Sequence, residues 1–248
     1  MAVDVYSVIQ PIAYSAGWEV DPLILASDTI QLSSALHRFT CLVKLSVGGG
    51  FILSFNSTAL GNELRRKNGD LVAYPIMDLD VLRTILSDAS VLAGSLPNSP
   101  LLEYDAKIQN LSIDETEVRR EVEQRVGQDI YRNHMLSYWE GRCALTNIGE
   151  PELLLASHAK PWKDCTSAEE RLNVFNGFLL EARFDRLFDK GFITFDDQGT
   201  LLVSKRLESA SLSVLGLEQG MKLRWIREEH LPFLHWHQEH VFRGKVKS

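Results

Sequence analysis

The longest patterned segment of the chain is a helical run from Asp114 to Trp139. Its apolar residues recur every three or four positions, and acidic residues crowd its beginning, where a helix favours negative charge. Gly127 lies in the middle of the run and predicts a break into two helices. The run is followed by short apolar segments that predict strands at 143–146, 153–157, 178–180 and 221–226, a hairpin at 192–195 and 200–204, and helices at 184–190 and 228–242. A long helix followed by short strands and short helices predicts an α+β domain.

The first hundred residues have a different pattern, which predicts a small mixed α/β module. Alternating apolar residues before and after the glycines at 48–50 predict a hairpin. We predict helices at 60–67, with Thr58 as its cap, and at 78–92, and a strand at 71–77. Because residues 94–100 are rich in Pro, Gly, Ser and Asn, we predict two domains, at 1–105 and 113–248.

Composition restricts the classes of function. The chain has 248 residues and a net charge of −7, so any nucleic acid must be bound through a local basic patch or with the help of metal ions. Three widely spaced cysteines without a Cys-x-x-Cys pair predict neither disulfides nor a structural zinc site. No apolar run approaches the roughly 18 residues of a membrane helix, and no basic segment resembling a signal peptide opens the sequence. We therefore expect a cytoplasmic protein that does not bind membranes.

Polar residues with a possible chemical role follow one another in the carboxy-terminal part. His158 ends an apolar strand run, Asn176 precedes a glycine, and Asp185 and Asp189 are four residues apart and thus share a helix face. A neutral histidine can take a proton from water, because its pKa lies near physiological pH. A carboxylate can hold Mg²⁺ or Mn²⁺ against a phosphate. Together these groups could hydrolyse a phosphodiester.

The stretches 127–147, 153–165, 170–207 and 231–243 resemble the HNH endonucleases of the ββα-metal fold, in the branch with restriction-type nucleases. The resemblance covers about residues 126–242 and implies cleavage of double-stranded DNA. It implies that His158 is the general base and that Asn176 pins the loop between the histidine strand and the helix. It places Asp185 as the metal ligand on the helix, where many relatives have histidine.

The resemblance also identifies a departure from the family pattern. Many HNH enzymes have an aspartate ligand directly before the catalytic histidine, whereas this chain has Ser157, which offers only a neutral oxygen. We therefore expect weak metal binding in the absence of DNA. Asp189 has two open interpretations, an outer contact to the metal site or a structural turn before Gly191.

Basic residues around the predicted site are the candidates for DNA contact, and Arg243, Lys245 and Lys247 add a basic carboxy-terminal end. Most such side chains in any protein are merely solvated. The candidates near the site are Lys160, Lys163, Arg171, Arg183, Arg186 and Lys190.

Three functional hypotheses remain open from the sequence. The first is a restriction or modification-dependent defence nuclease whose amino-terminal module selects the target. The second is a low-specificity effector nuclease that this module holds inactive. The third is a non-catalytic DNA-binding protein on a nuclease fold, which Ser157 in place of a ligand acid favours. Taken alone, His158 could be a structural histidine and Asp185 a solvated helix acid. Because one such site cuts one strand, a nuclease of this kind is expected to be a homodimer.

Overall fold

The computed structural model describes residues 4–72, 74–97, 99–109 and 116–244. The chain forms two compact units, Met1–Ser99 and Pro100–Ser248. Residues 110–115, which include the end of the predicted boundary at 106–112, lie outside the described residues, as do Lys245 and Lys247. Within the described ranges, no helix is both long and apolar enough to cross a membrane.

The amino-terminal unit packs helices on an antiparallel sheet whose strands are ordered as in the chain. The predicted hairpin is confirmed, and Leu45 pairs with Phe51 across its glycine turn. Buried Trp18 donates a hydrogen bond of 2.9 Å to the carbonyl oxygen of Leu86. The elements are α1 Val5–Ser15, β1 Val20–Ala26, β2 Thr29–Ser33, β3 Cys41–Leu45, β4 Phe51–Phe55, α2 Thr58–Asn68 and α3 Leu79–Ser95.

Two local predictions in this unit are wrong. Ser57 rather than Thr58 caps α2, since the Ser57 hydroxyl accepts a hydrogen bond from the Leu60 backbone. The segment predicted as a strand at 71–77 instead follows a 3₁₀ turn at Gly69–Val72, and Ile76 forms an isolated bridge with Phe51. Among the side chains that the structure describes in this segment, only Ile76 is buried, whereas Tyr74 and Met77 are exposed, so these apolar residues do not form one covered face. The helix predicted at 78–92 is confirmed, with Asp78 as its cap.

The carboxy-terminal unit combines helices with two small antiparallel sheets, as expected for an α+β domain. The β5–β6 pair is followed directly by α7, and the β7–β8 hairpin follows in turn. The elements are α4 Ser99–Gln109, α5 Thr116–Tyr138, β5 Leu154–His158, α6 Ala168–Leu172, β6 Gly177–Glu181, α7 Ala182–Asp189, β7 Ile193–Phe195, β8 Leu201–Val203, α8 Ser209–Val214 and α9 Leu231–His240.

The predicted break at Gly127 is wrong, because α5 continues through it. A Cβ atom at Gly127 would lie 2.3 Å from the Trp162 ring, so the glycine makes room for an aromatic side chain. The strands predicted at 143–146 and 221–226 do not form. Residues 143–148 close a turn from the Cys143 N–H to the Ile148 carbonyl oxygen, and Lys222 makes an isolated bridge to Thr200.

Candidate active site

The candidate site lies at the end of β5, where the strand approaches β6 closely. His158 pairs with Gly177, which has a φ of +151°. A Cβ atom at Gly177 would lie 1.9 Å from the Ser157 carbonyl oxygen and 2.6 Å from the Tyr131 hydroxyl. Only glycine fits this position without moving backbone.

His158 has a fixed tautomer and an aromatic environment. Its Nε2 lies 2.8 Å from the carbonyl oxygen of Arg171, which can only accept, so Nε2 carries the proton. Its ring stacks on Tyr131 at a centroid distance of 3.9 Å and meets the Trp162 ring edge-on at 5.9 Å. The described residues provide no hydrogen-bond partner for Nδ1, whose lone pair is left available.

Burial lowers the pKa of His158 to about 4, and the hydrogen bond to Arg171 opposes this shift. The imidazole is therefore neutral at physiological pH. A neutral imidazole with an available Nδ1 can accept a proton, but its lowered pKa makes it a weaker base than the ordinary histidine, with a pKa near physiological pH, that the sequence predicted.

Asn176 holds together the loop that follows His158. The side chain is fully buried, its Oδ1 accepts from the Lys160 N–H at 2.8 Å, and its Nδ2 donates to the carbonyl oxygens of Lys160 and Glu170. The Asn176 carbonyl oxygen accepts from the Tyr131 hydroxyl at 3.0 Å and from the Ala159 N–H at 3.1 Å. Because every polar group of Asn176 faces protein, the side chain acts by positioning the strand and the loop.

Asp185 lies on α7 and is directed towards β5. The Ser157 hydroxyl donates a hydrogen bond to its carboxylate. Partial burial raises the pKa of Asp185, the Ser157 hydrogen bond lowers it, and the nearby Asp189 raises it. Since Ser157 directly precedes His158, this contact brings the predicted carboxylate ligand to the strand end that carries the predicted base.

Asp189 lies one helical turn beyond Asp185 and is exposed. Its carboxylate is 3.4 Å from the ammonium group of Lys190. Among the described residues, no three His, Cys, Asp or Glu side chains converge as metal ligands. One carboxylate and one hydroxyl nevertheless fit Mg²⁺, which is commonly bound through one or two carboxylates plus substrate phosphates and water.

Some of the predicted DNA-contacting residues already form ion pairs or hydrogen bonds with protein groups, and others do not. The Lys160 ammonium is 2.8 Å from a Glu170 carboxylate oxygen. Arg171 donates to the carbonyl oxygens of Trp162 and Cys165, and Arg183 is bound to Glu181. Lys163 and Arg186 are exposed and form no ion pair within the described part of the chain.

Sequence reasoning missed the two aromatic residues that contact His158. Gly127 and Tyr131 are four residues apart on α5, so they share the face that packs against Trp162 and His158. A glycine followed by an aromatic residue at this spacing was the available signal. Two other histidines, His230 and His237, are buried among aromatic rings, and His237 stacks on Phe188 at 3.8 Å.

In a comparison with protein families, residues 143–196 match the family model of an HNH endonuclease. The segment contains Ser157, His158, Asn176, Asp185 and Asp189, whereas Tyr131 and α9 lie outside it. Comparison with curated proteins gives no match. The resemblance to HNH endonucleases is confirmed over this segment, which implies a nuclease-type function with DNA as substrate.

Proposed function

We propose that this chain, which carries an HNH endonuclease segment at residues 143–196, is a divalent-metal-dependent DNA endonuclease of the ββα-metal fold. The amino-terminal unit selects the target, and the biological role is restriction of foreign or modified DNA. The observation that carries the proposal is the Ser157–Asp185 hydrogen bond. It brings the half-buried carboxylate to the strand end at which the neutral His158 imidazole lies.

In the proposed reaction, His158 acts as the general base through Nδ1. It takes a proton from a water molecule as the water oxygen attacks the phosphorus atom, the bond from phosphorus to the leaving 3′-oxygen breaks, and this oxygen takes a proton from solvent water. The carbonyl oxygen of Arg171, 2.8 Å from Nε2, keeps the ring oriented and stabilises the imidazolium that forms. The resemblance implies products with a 5′-phosphate and a 3′-hydroxyl.

Asp185 and Ser157 are the residues that would hold Mg²⁺ or Mn²⁺. When bound, the ion supplies positive charge next to the scissile phosphate and the leaving oxygen. Asp185 provides the charged oxygen, and Asp189 lies one turn away as an outer carboxylate. Because Ser157 is neutral, a bound ion would need further oxygen ligands from phosphate and water, so we expect DNA to strengthen metal binding.

A non-catalytic DNA-binding protein is the competing function, and a specific observation favours it. The described residues lack a group of three metal-ligating side chains, and Ser157 stands where many relatives have an acid. The two functions differ in whether the purified protein breaks a phosphodiester.

Plasmid cleavage by the full chain with Mg²⁺ or Mn²⁺ tests the proposal. We expect His158→Ala to slow cleavage about 10²- to 10⁴-fold, the usual contribution of a general base. His235→Ala is the matched control, because His235 is exposed and its ring is bonded to Asp197 rather than to any residue of the candidate site. Equal cleavage by the wild type and His158→Ala would refute the mechanism. Conversion of supercoiled plasmid directly to linear DNA, with a dimer in sedimentation, would support the proposed homodimer.

A further inference from the structure

A groove of about 510 Å³ lies beside the candidate active site. This volume is within the roughly 300–1,000 Å³ typical of ligand clefts. The groove is lined by cations, carboxylates and a pair of aromatic rings, chiefly Lys163, Lys190, Arg243, Asp189, Trp236 and His240.

Part of the groove is lined by residues of the loop after β5 and of α7, the two parts of the chain that carry His158 and Asp185. Lys163 follows His158 by five residues, on the loop that Asn176 pins. Asp189 follows Asp185 by four residues, which is about 6 Å along the helix axis. The opposite wall is α9, which packs against α7 through the stack of His237 on Phe188. The groove therefore shares α7 and the loop after β5 with the candidate site.

The electrostatics of the groove favour a phosphate. Its lining contains three cations against two carboxylates, Asp164 and Asp189, in a chain whose net charge is −7. The Lys190 ammonium is paired with Asp189, but Lys163 and Arg243 make no ion pair within the described ranges. The Arg243 guanidinium lies 4.7 Å above the Phe192 ring, which holds it in place.

The aromatic pair forms a flat surface on this wall. The rings of Trp236 and His240 stack at a centroid distance of 4.4 Å with an interplanar angle of 13°. His240 Nδ1 donates to the Trp236 carbonyl oxygen at 2.9 Å, which fixes the imidazole over the indole. His240 is exposed, so a planar group could stack on the pair without rearrangement.

We propose that this groove binds an unpaired segment of the DNA strand next to the scissile phosphate. Lys163 and Arg243 bind the phosphates, and a base stacks on the Trp236–His240 pair. A positive groove with an aromatic surface is the arrangement by which proteins bind single strands, since bases within a duplex are already stacked on each other. The inference rests on the proposed nuclease function and specifies that, in the bound DNA, the strand next to the break is unpaired.

Fluorescence anisotropy of a labelled single strand of about 12 nucleotides tests the proposal. The full chain is titrated in EDTA, so that no cleavage occurs, and the same sequence is measured as a blunt duplex. The groove variants are Lys163→Ser combined with Arg243→Ser, and His240→Ala. The matched controls are Lys205→Ser combined with Arg206→Ser, which are exposed outside the groove, and His235→Ala on the same helix.

We expect each groove variant to weaken single-strand binding by about 5- to 100-fold, whereas the controls stay within about twofold. The double variant should also flatten the dependence of log K on log salt by about 1.4, because two phosphate contacts are lost. Duplex binding should change less than single-strand binding.

Single-strand binding that is equal in the wild type and the groove variants would overturn the proposal, as would a loss confined to the duplex. Plasmid cleavage separates this inference from the nuclease function. If the protein cleaves plasmid but the groove variants bind single strands as the wild type does, the nuclease function is supported and the groove proposal is refuted. If the protein binds single strands through the groove but does not cleave plasmid, the groove proposal is supported and the nuclease function is refuted.

Discussion

The Ser157 hydroxyl donates a hydrogen bond to the Asp185 carboxylate, which joins the end of β5 to the middle of α7. The residues are 28 positions apart in the chain. The contact satisfies a half-buried carboxylate in the absence of a cation, and it brings a potential oxygen ligand next to His158. From this contact we predict opposite effects on the stability of the metal-free fold for substitutions at Ser157 and at Asp185.

Replacing Ser157 with aspartate should strengthen metal binding and weaken the metal-free fold. Two carboxylates in contact repel each other without a cation, whereas together they offer Mn²⁺ an additional charged ligand. We expect the Mn²⁺ concentration for half-maximal cleavage to fall by about tenfold or more. The melting temperature in EDTA should fall as well. Ser213→Asp makes the same change at an exposed position and should alter neither quantity.

Replacing Asp185 with asparagine should abolish cleavage but stabilise the metal-free fold at neutral pH. Asparagine can still accept the Ser157 hydrogen bond, so the local structure is retained. Loss of a direct metal ligand should cost more than the roughly 10- to 100-fold that loss of an outer contact costs.

The stabilisation has a defined dependence on pH. Burial raises the pKa of Asp185 in the folded state, so the folded protein binds this proton more tightly than the unfolded chain does. The charged carboxylate therefore destabilises the fold above its folded-state pKa, and the penalty disappears below about 3.9, the ordinary value for aspartate. Urea unfolding of the wild type and Asp185→Asn at several pH values would detect this. A gain that persists at low pH would contradict the assignment.

Replacing Asn176 with alanine should destabilise the carboxy-terminal unit and slow cleavage together. The substitution leaves the Lys160 N–H and the carbonyl oxygens of Lys160 and Glu170 without their partner. Because this amide is fully buried, we expect a loss of about 2–4 kcal/mol. Chemical denaturation measures it, with Asn133→Ala on the exposed face of α5 as the control. Full stability in Asn176→Ala would show that the loop is held by other contacts.

Acidification should lower the free energy of unfolding of the carboxy-terminal unit from about pH 6.5 downward, which is well above the ordinary pKa values of aspartate and glutamate. Burial lowers the pKa of His158 to about 4, of His230 to about 3 and of His237 to about 4. The unfolded chain takes up these protons near pH 6.5, so stability is complete above that value and falls as pH decreases through 4. Each histidine contributes up to about 1.4 kcal/mol per pH unit in this window.

Urea unfolding between pH 7.5 and 5 measures that slope. His230→Phe keeps an aromatic ring beside Phe178. It should reduce the slope of unfolding free energy against pH by the contribution of one histidine. His235→Gln, at an exposed position, should leave the slope as it is. A slope that is unchanged in His230→Phe would mean that the pKa of His230 is not lowered by its burial.

The local pattern of the sequence predicted most elements near the site, because each depends on neighbouring residues. The apolar run that ends at His158 predicted β5, and the helical spacing around Asp185 predicted α7. The strand predicted at 143–146 is wrong because the structure of this segment depends on contacts with residues distant in the chain. Cys143 is buried, and its thiol accepts hydrogen bonds from the N–H groups of Thr146 and Glu181, so the apolar run reflects burial in a turn.

The sequence by itself predicted Ser157, His158, Asn176 and Asp185 as site residues through the resemblance that these ordered residues carry, because residue type and order are properties of the chain. Only the tertiary structure established that His158 stacks on Tyr131, that Asn176 is fully buried, and that Lys160, Arg171 and Arg183 are engaged by protein groups. Those facts depend on contacts between residues far apart in the chain. Sequence periodicity reports only which face of an element is covered, and packing decides which side chain covers it.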